Sequence, residues 1–99
     1  MAEKVIAEFT AAPGRLDALV AFLGEALPDT RRFEGCIAVD VYVDRASDTV
    51  AMIESWDSHA AYDRYLGWRM ESGTVDAALA LLAGGAEGMV IRKLERLEI

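Results

Sequence analysis

Apolar residues along this chain recur with two periods, one near 2 and one near 3.6, and the switches between them divide it into elements. The segment Val5 to Thr10 is short, rich in β-formers and partly alternating, which predicts a first strand. Pro13-Gly14 interrupts it. Leu16, Leu19, Val20, Leu23 and Leu27 then follow at helical spacing, with Arg15, Asp17 and Glu25 between them. Proline suits the first turn of a helix, where its missing N–H would have no partner anyway. An amphipathic helix of about four turns is therefore expected, ending near Pro28. After Glu34-Gly35, Cys36 to Asp44 alternates: Ile37, Val39, Val41 and Val43 share one face, and Cys36, Ala38, Asp40 and Tyr42 the other. Arg45 to Asp48 is a polar connection, and Thr49 to Trp56 forms the returning strand of a hairpin. Asp57 or Ser58 can cap a second helix that runs through Met70. Gly73-Thr74 opens a third helical piece with Val75, Leu79 and Leu82 on one face, and Gly84-Gly85 ends it. The stretch from Met89 to Ile99 reads as a long last strand.

The resulting order, β-α-β-β-α-(α)-β, is the split βαβ arrangement. It predicts a single α+β, ferredoxin-like domain over residues 1–99, with a four-stranded antiparallel sheet and helices on one face. Alternation then assigns side chains to faces. Val5, Ala7 and Phe9 are assigned to the helices and Ile6, Glu8 and Thr10 to the open side. In the third strand, Ala51 and Ile53 are assigned to the helices and Met52, Glu54 and Trp56 to the open side, where Val90, Arg92 and Leu94 join them. The open face is thus expected to mix Ile6, Tyr42, Met52 and Trp56 with Glu8, Asp40, Glu54 and Arg92.

Composition changes this picture in one respect. With 54% hydrophobic residues in 99, the chain carries more apolar surface than one small domain hides. A second copy laid over the open face would cover the surplus, so a homodimer is expected. Carboxylates enclosed there must be paired, hydrated or protonated. Arg92 is the natural partner for one, and a carboxylate left over would have a raised pKa and serve as general acid or base.

The 17 acidic and 10 basic residues give a formal net charge of −7, which argues against nucleic acid or an anionic membrane surface as partner. The single cysteine, Cys36, excludes an intramolecular disulfide and a multi-cysteine metal site, and the lone histidine, His59, lacks a second ligand, so no metal site is expected. His59 reads as a solvated residue and Cys36 as a small buried one. Without a signal-peptide pattern or an apolar run of ~20 residues, a cytoplasmic location is the expectation.

Two passages carry a resemblance to a known family. Thr30-Arg31-Arg32-Phe33-Glu34-Gly35-Cys36 resembles the T-R-x-x-x-G-C passage of the antibiotic biosynthesis monooxygenase family. Glu54-Ser55-Trp56-Asp57-Ser58, followed by Ala61, is similar to its E-x-W-x-S…A passage at a strand-to-helix junction. The resemblance implies a homodimeric α+β barrel with a pocket between sheet and helices in each protomer. It implies oxygenation of a small aromatic, of quinol or anthrone type, without a cofactor: the substrate supplies the electrons, and the protein removes a proton and shields the anion. On that reading Tyr42, Trp56 and Tyr62 are walls, with Arg92 also at the substrate, and Glu8 or Glu54 is the base. Many relatives carry a histidine nine residues after the tryptophan, and Tyr65 stands there in this chain. Tyr65 can hydrogen-bond a phenol or an oxygen species, but it is a poor base near neutrality and a poor ligand for haem iron. The other reading that the residues leave open is a non-catalytic dimer that binds a small ligand or serves a stress response.

Overall fold

The computed structural model describes residues 3–99. Its elements are β1 (Glu3–Thr10), α1 (Leu16–Arg32), β2 (Cys36–Asp44), β3 (Thr49–Trp56), α2 (His59–Glu71), α3 (Thr74–Leu79), a 3-10 turn (Gly85–Gly88) and β4 (Met89–Leu94). All strand pairs are antiparallel, in the order β2-β3-β1-β4. The α+β, ferredoxin-like order read from the sequence is the observed one.

Core contacts place both long helices on one face of the sheet. Leu19, Leu23 and Leu27 of α1 pack with Ala7, Val39, Val50 and Met52, while Ala61 and Tyr62 of α2 pack with Val5 and Trp56. This inverts the faces expected for β3. Met52 and Trp56 are buried beneath the helices, and Ile53 is 37% exposed on the open side. The hairpin register is the reason. Asp44 pairs with Thr49, Val43 with Val50, Val41 with Met52 and Val39 with Glu54, and directly opposed residues share a face. Once the β2 valines face the helices, Met52, Glu54 and Trp56 must follow.

Further expectations need correction. A register shift between Cys36 and Ala38 takes Ile37 out of the valine face; Ile37 is 55% exposed, and Cys36 packs into the core instead. The first helix does not stop at Pro28 but continues to Arg32. Proline forfeits only its own N–H bond, whereas the last turn buries Leu27 and Thr30, and Arg31 Nη2 donates to the Val39 carbonyl at 3.0 Å. The last strand ends at Leu94, paired to Lys4, and residues 95–99 lie exposed beyond it.

Ser58 is the cap of α2, its Oγ accepting from the Ala61 N–H at 3.0 Å. Gly35 brings β2 close against that helix. A Cβ at Gly35 would lie 2.6 Å from the Ala61 Cβ, and its φ of +96° is one that glycine adopts without strain. His59, expected to be solvated, is half-buried, with Nε2 3.1 Å from the Leu94 carbonyl at the end of β4.

Candidate functional site

Glu54 and Trp56 stand two residues apart on β3, hence on the same face, under the helices. Trp56 is fully buried and Glu54 only 4% exposed. A buried indole N–H needs an acceptor, and Trp56 Nε1 donates to Glu54 Oε1 at 2.8 Å. Burial disfavours the carboxylate anion and pushes the Glu54 pKa up to about 7, opposed only by the Trp56 hydrogen bond. Burial, and then the nearby Glu54, push the Tyr62 phenol well above its ordinary value. Burial also raises the Cys36 thiol, reinforced by Glu54 and opposed by Arg31, so this cysteine is a weaker nucleophile than an exposed one.

Facing this pair, α2 presents Tyr62, Tyr65 and Arg69 at positions i, i+3 and i+7, one helical stripe. Arg69 is buried. Its Nε donates to the Tyr65 hydroxyl at 3.1 Å, and its Nη2 donates to Thr30 Oγ1 at 3.0 Å and to the Ala26 carbonyl at 2.6 Å on α1. The Tyr65 and Thr30 hydroxyls lie 2.7 Å apart, so one donates to the other while both accept from the guanidinium. The guanidinium also lies 4.5 Å over the Trp68 ring, which stacks on Phe33 at 5.4 Å.

Between these groups is a cavity of about 70 Å³, lined by Glu54, Tyr62, Tyr65, Thr30 and Arg69 together with apolar side chains of α1, α3, β1 and β4. An apolar cavity of roughly 150 Å³ takes up one benzene ring, so here even a single ring requires the flanking helices to shift. The short α3, which supplies Thr74, Val75 and Ala78 to the lining, follows Gly73 in a left-handed conformation.

The structure brings together four of the residues singled out from the sequence, Glu54, Trp56, Tyr62 and Tyr65. Trp56 does not line the cavity; it lies behind Glu54 and makes ring contact with Tyr62 and Tyr65 at 5.5 and 5.1 Å. The other three lie on the opposite face of the sheet. Arg92 Nη2 donates to Glu8 Oε1 at 2.9 Å, and Tyr42 is 60% exposed. Sequence reasoning missed Thr30 and Arg69 as parts of the site. The available signal was the spacing of Arg69, four residues after Tyr65 on the same helix, where a polar stripe repeats on the sheet-facing side. Among the described residues, no group of three or more His, Cys, Asp or Glu could hold a metal ion, and no helix is long and apolar enough to cross a membrane.

No curated protein matches the chain. Among solved structures, PA3566 from Pseudomonas aeruginosa is 33% identical, with 97% of this chain and 94% of that one covered at a TM-score of 0.74. Rv0793 from Mycobacterium tuberculosis is 26% identical, with 100% and 98% covered at a TM-score of 0.72. A solved antibiotic biosynthesis monooxygenase, 23% identical with 98% and 99% covered, shares the fold at a TM-score of 0.81. Residues 4–70, more than half of the chain, match the antibiotic biosynthesis monooxygenase family, and the chain therefore belongs to it.

Proposed function

We propose that the protein is a cofactor-independent monooxygenase for a small phenolic aromatic, with Glu54 as its general base. One observation carries this reading: a buried carboxylate, held at a pKa of about 7, on the wall of a mostly apolar cavity. A base is most effective when its pKa lies near the working pH, because it is then both available and strong enough. Glu54 takes a proton from the substrate, and the electron-rich anion reduces dioxygen. One oxygen atom becomes a ring carbonyl; the other leaves as water, carrying the proton that Glu54 returns and a second proton from the oxidised carbon. The substrate is the reductant and dioxygen the oxidant, so electrons balance without a further donor.

Trp56 holds the Glu54 carboxylate in place, and Tyr62, kept protonated, donates a hydrogen bond. Tyr65 acts through Arg69 and Thr30 to fix the wall, and the apolar lining keeps water from the anion. The protein works as a homodimer, paired through the open face where Glu8, Tyr42 and Arg92 lie beside exposed Ile53 and Val90. Those three residues then serve the interface and not the substrate.

A second reading, a ligand-binding protein without catalysis, is favoured by the small cavity and by a Tyr65 hydroxyl already engaged by Thr30 and Arg69. Oxygen uptake against a panel of quinols and anthrones separates the two. The wild type is expected to turn over at least one class, and Glu54→Gln to lower the rate by roughly 10²–10⁴-fold. Thermal shifts with no uptake favour the second reading. No uptake and no shift across the panel ends the oxygenase proposal.

A further inference from the structure

Arg69 is the one buried cationic side chain among the described residues, only 7% exposed. Each partner it has is neutral: the Ala26 carbonyl, the Thr30 and Tyr65 hydroxyls, and the faces of Trp68 and Tyr65. The ion pairs of the described residues lie elsewhere, as Asp29–Arg32, Glu3–His59, Glu8–Arg92, Asp63–Lys93 and Glu98–Arg96. Glu54 lines the same cavity, yet the guanidinium does not hold its proton affinity down, so the two groups do not neutralise each other. A buried charge without a counter-charge is costly, even when hydrogen bonds satisfy part of it. Those bonds come from Nε and Nη2. Nη1 keeps two donor hydrogens that make no bond to the protein, and no buried side-chain nitrogen is sealed off without a partner.

We infer that Arg69 is an anion-recognition residue and that the ligand of this cavity is a singly charged aromatic acid. Its carboxylate, or an equivalent acidic group, supplies the counter-charge the guanidinium lacks. The ring lies among the apolar side chains, with a hydroxyl toward Glu54. This deepens the proposed function and rests on the same cavity, adding a charge to the substrate class. An arginine that only tied α1 to α2 would use the same carbonyl and hydroxyl and be indifferent to ligand charge.

The test compares 4-hydroxybenzoate with 4-hydroxybenzamide, probes of nearly one shape that differ in charge, by calorimetric titration of the full chain near neutral pH. A charge-assisted hydrogen bond predicts that the acid binds at least about tenfold more tightly than the amide. In Arg69→Met that preference is expected to vanish, the acid-to-amide ratio falling to about one. Circular dichroism checks that the variant folds. If it does not, Arg69→Lys is read instead, and the acid-to-amide ratio is expected to fall, because an ammonium cannot reproduce the planar fork. Equal affinities in the wild type, a preference that survives in folded Arg69→Met, an acid-to-amide ratio left unchanged in Arg69→Lys, or no binding of either probe overturns the inference. Oxygen uptake plays no part in the measurement. A failed oxygenase reading therefore leaves the ratio standing, and a ratio of one with quinol turnover intact removes only the anion claim.

Discussion

Replacing Glu54 by glutamine removes a charge while keeping an acceptor for the Trp56 N–H, so its effect on stability isolates the ionisation of this one group. The carboxyl rises from an ordinary 4.5 to about 7 in the folded chain, which corresponds to roughly 3 kcal/mol. Below pH 4.5 the folded and unfolded chains both hold the proton, and ionisation contributes nothing. Between 4.5 and 7 the unfolded chain releases it first. The folded state then binds more protons, and wild-type stability falls as pH rises. Above 7 both forms are ionised, and the full deficit of about 3 kcal/mol persists. Glutamine carries no such dependence. The stability of Glu54→Gln relative to wild type is therefore expected to improve by about 3 kcal/mol from pH 4.5 to pH 8, whatever constant offset the amide introduces. For a chain of this length that is a melting-temperature change on the order of 12 °C. Urea unfolding at a series of pH values, at one fixed protein concentration so that association does not enter, measures it. A difference between the two proteins that stays flat over this range would show that Glu54 titrates like an exposed glutamate, and the base assigned here would lose its physical basis.

Trp56→Phe removes the one hydrogen bond that favours the Glu54 anion, so the carboxyl midpoint is expected to move upward by on the order of one pH unit. Carbon-detected NMR titration of the glutamate carboxyls reads it, and an unmoved midpoint would contradict the assigned contact. Ile53→Asp places a charge on the open sheet face without touching the core. It is expected to give a folded monomer by sedimentation at micromolar concentration from a dimeric wild type, whereas Met52→Asp, at a position 3% exposed, is expected to unfold the chain. A wild type that is already a stable monomer refutes the pairing.

Periodicity alone carried the element order and the antiparallel sheet, whereas Glu54, Trp56, Tyr62 and Tyr65 were singled out through the family resemblance. Local backbone preference and burial act on neighbouring residues, and the sequence displays both. It also held more than was drawn from it. A connection over Arg45 to Asp48 closes an Asp44–Thr49 pair, and counting outward from that pair puts Glu54 opposite Val39, under the helices. Alternation had assigned Glu54 to the open face together with Met52 and Trp56. Packing decided otherwise, since one residue cannot leave the phase set by Val50, Met52 and Trp56 without breaking the ladder.

Tertiary structure alone decided what that placement means. The raised proton affinity of Glu54 comes from the side chains that exclude water around it, and these arrive from β1, α1, α2, α3 and β4, well separated along the chain. Thr30, Tyr65 and Arg69 meet only because α1 and α2 lie side by side on the sheet, and no spacing in the sequence records a distance of 2.7 Å between hydroxyls 35 residues apart. Glu8, Tyr42 and Arg92 carry the right chemistry on the wrong side of the sheet. A strand's period of 2 tells which residues share a face, while only the packed helices tell which face encloses the cavity.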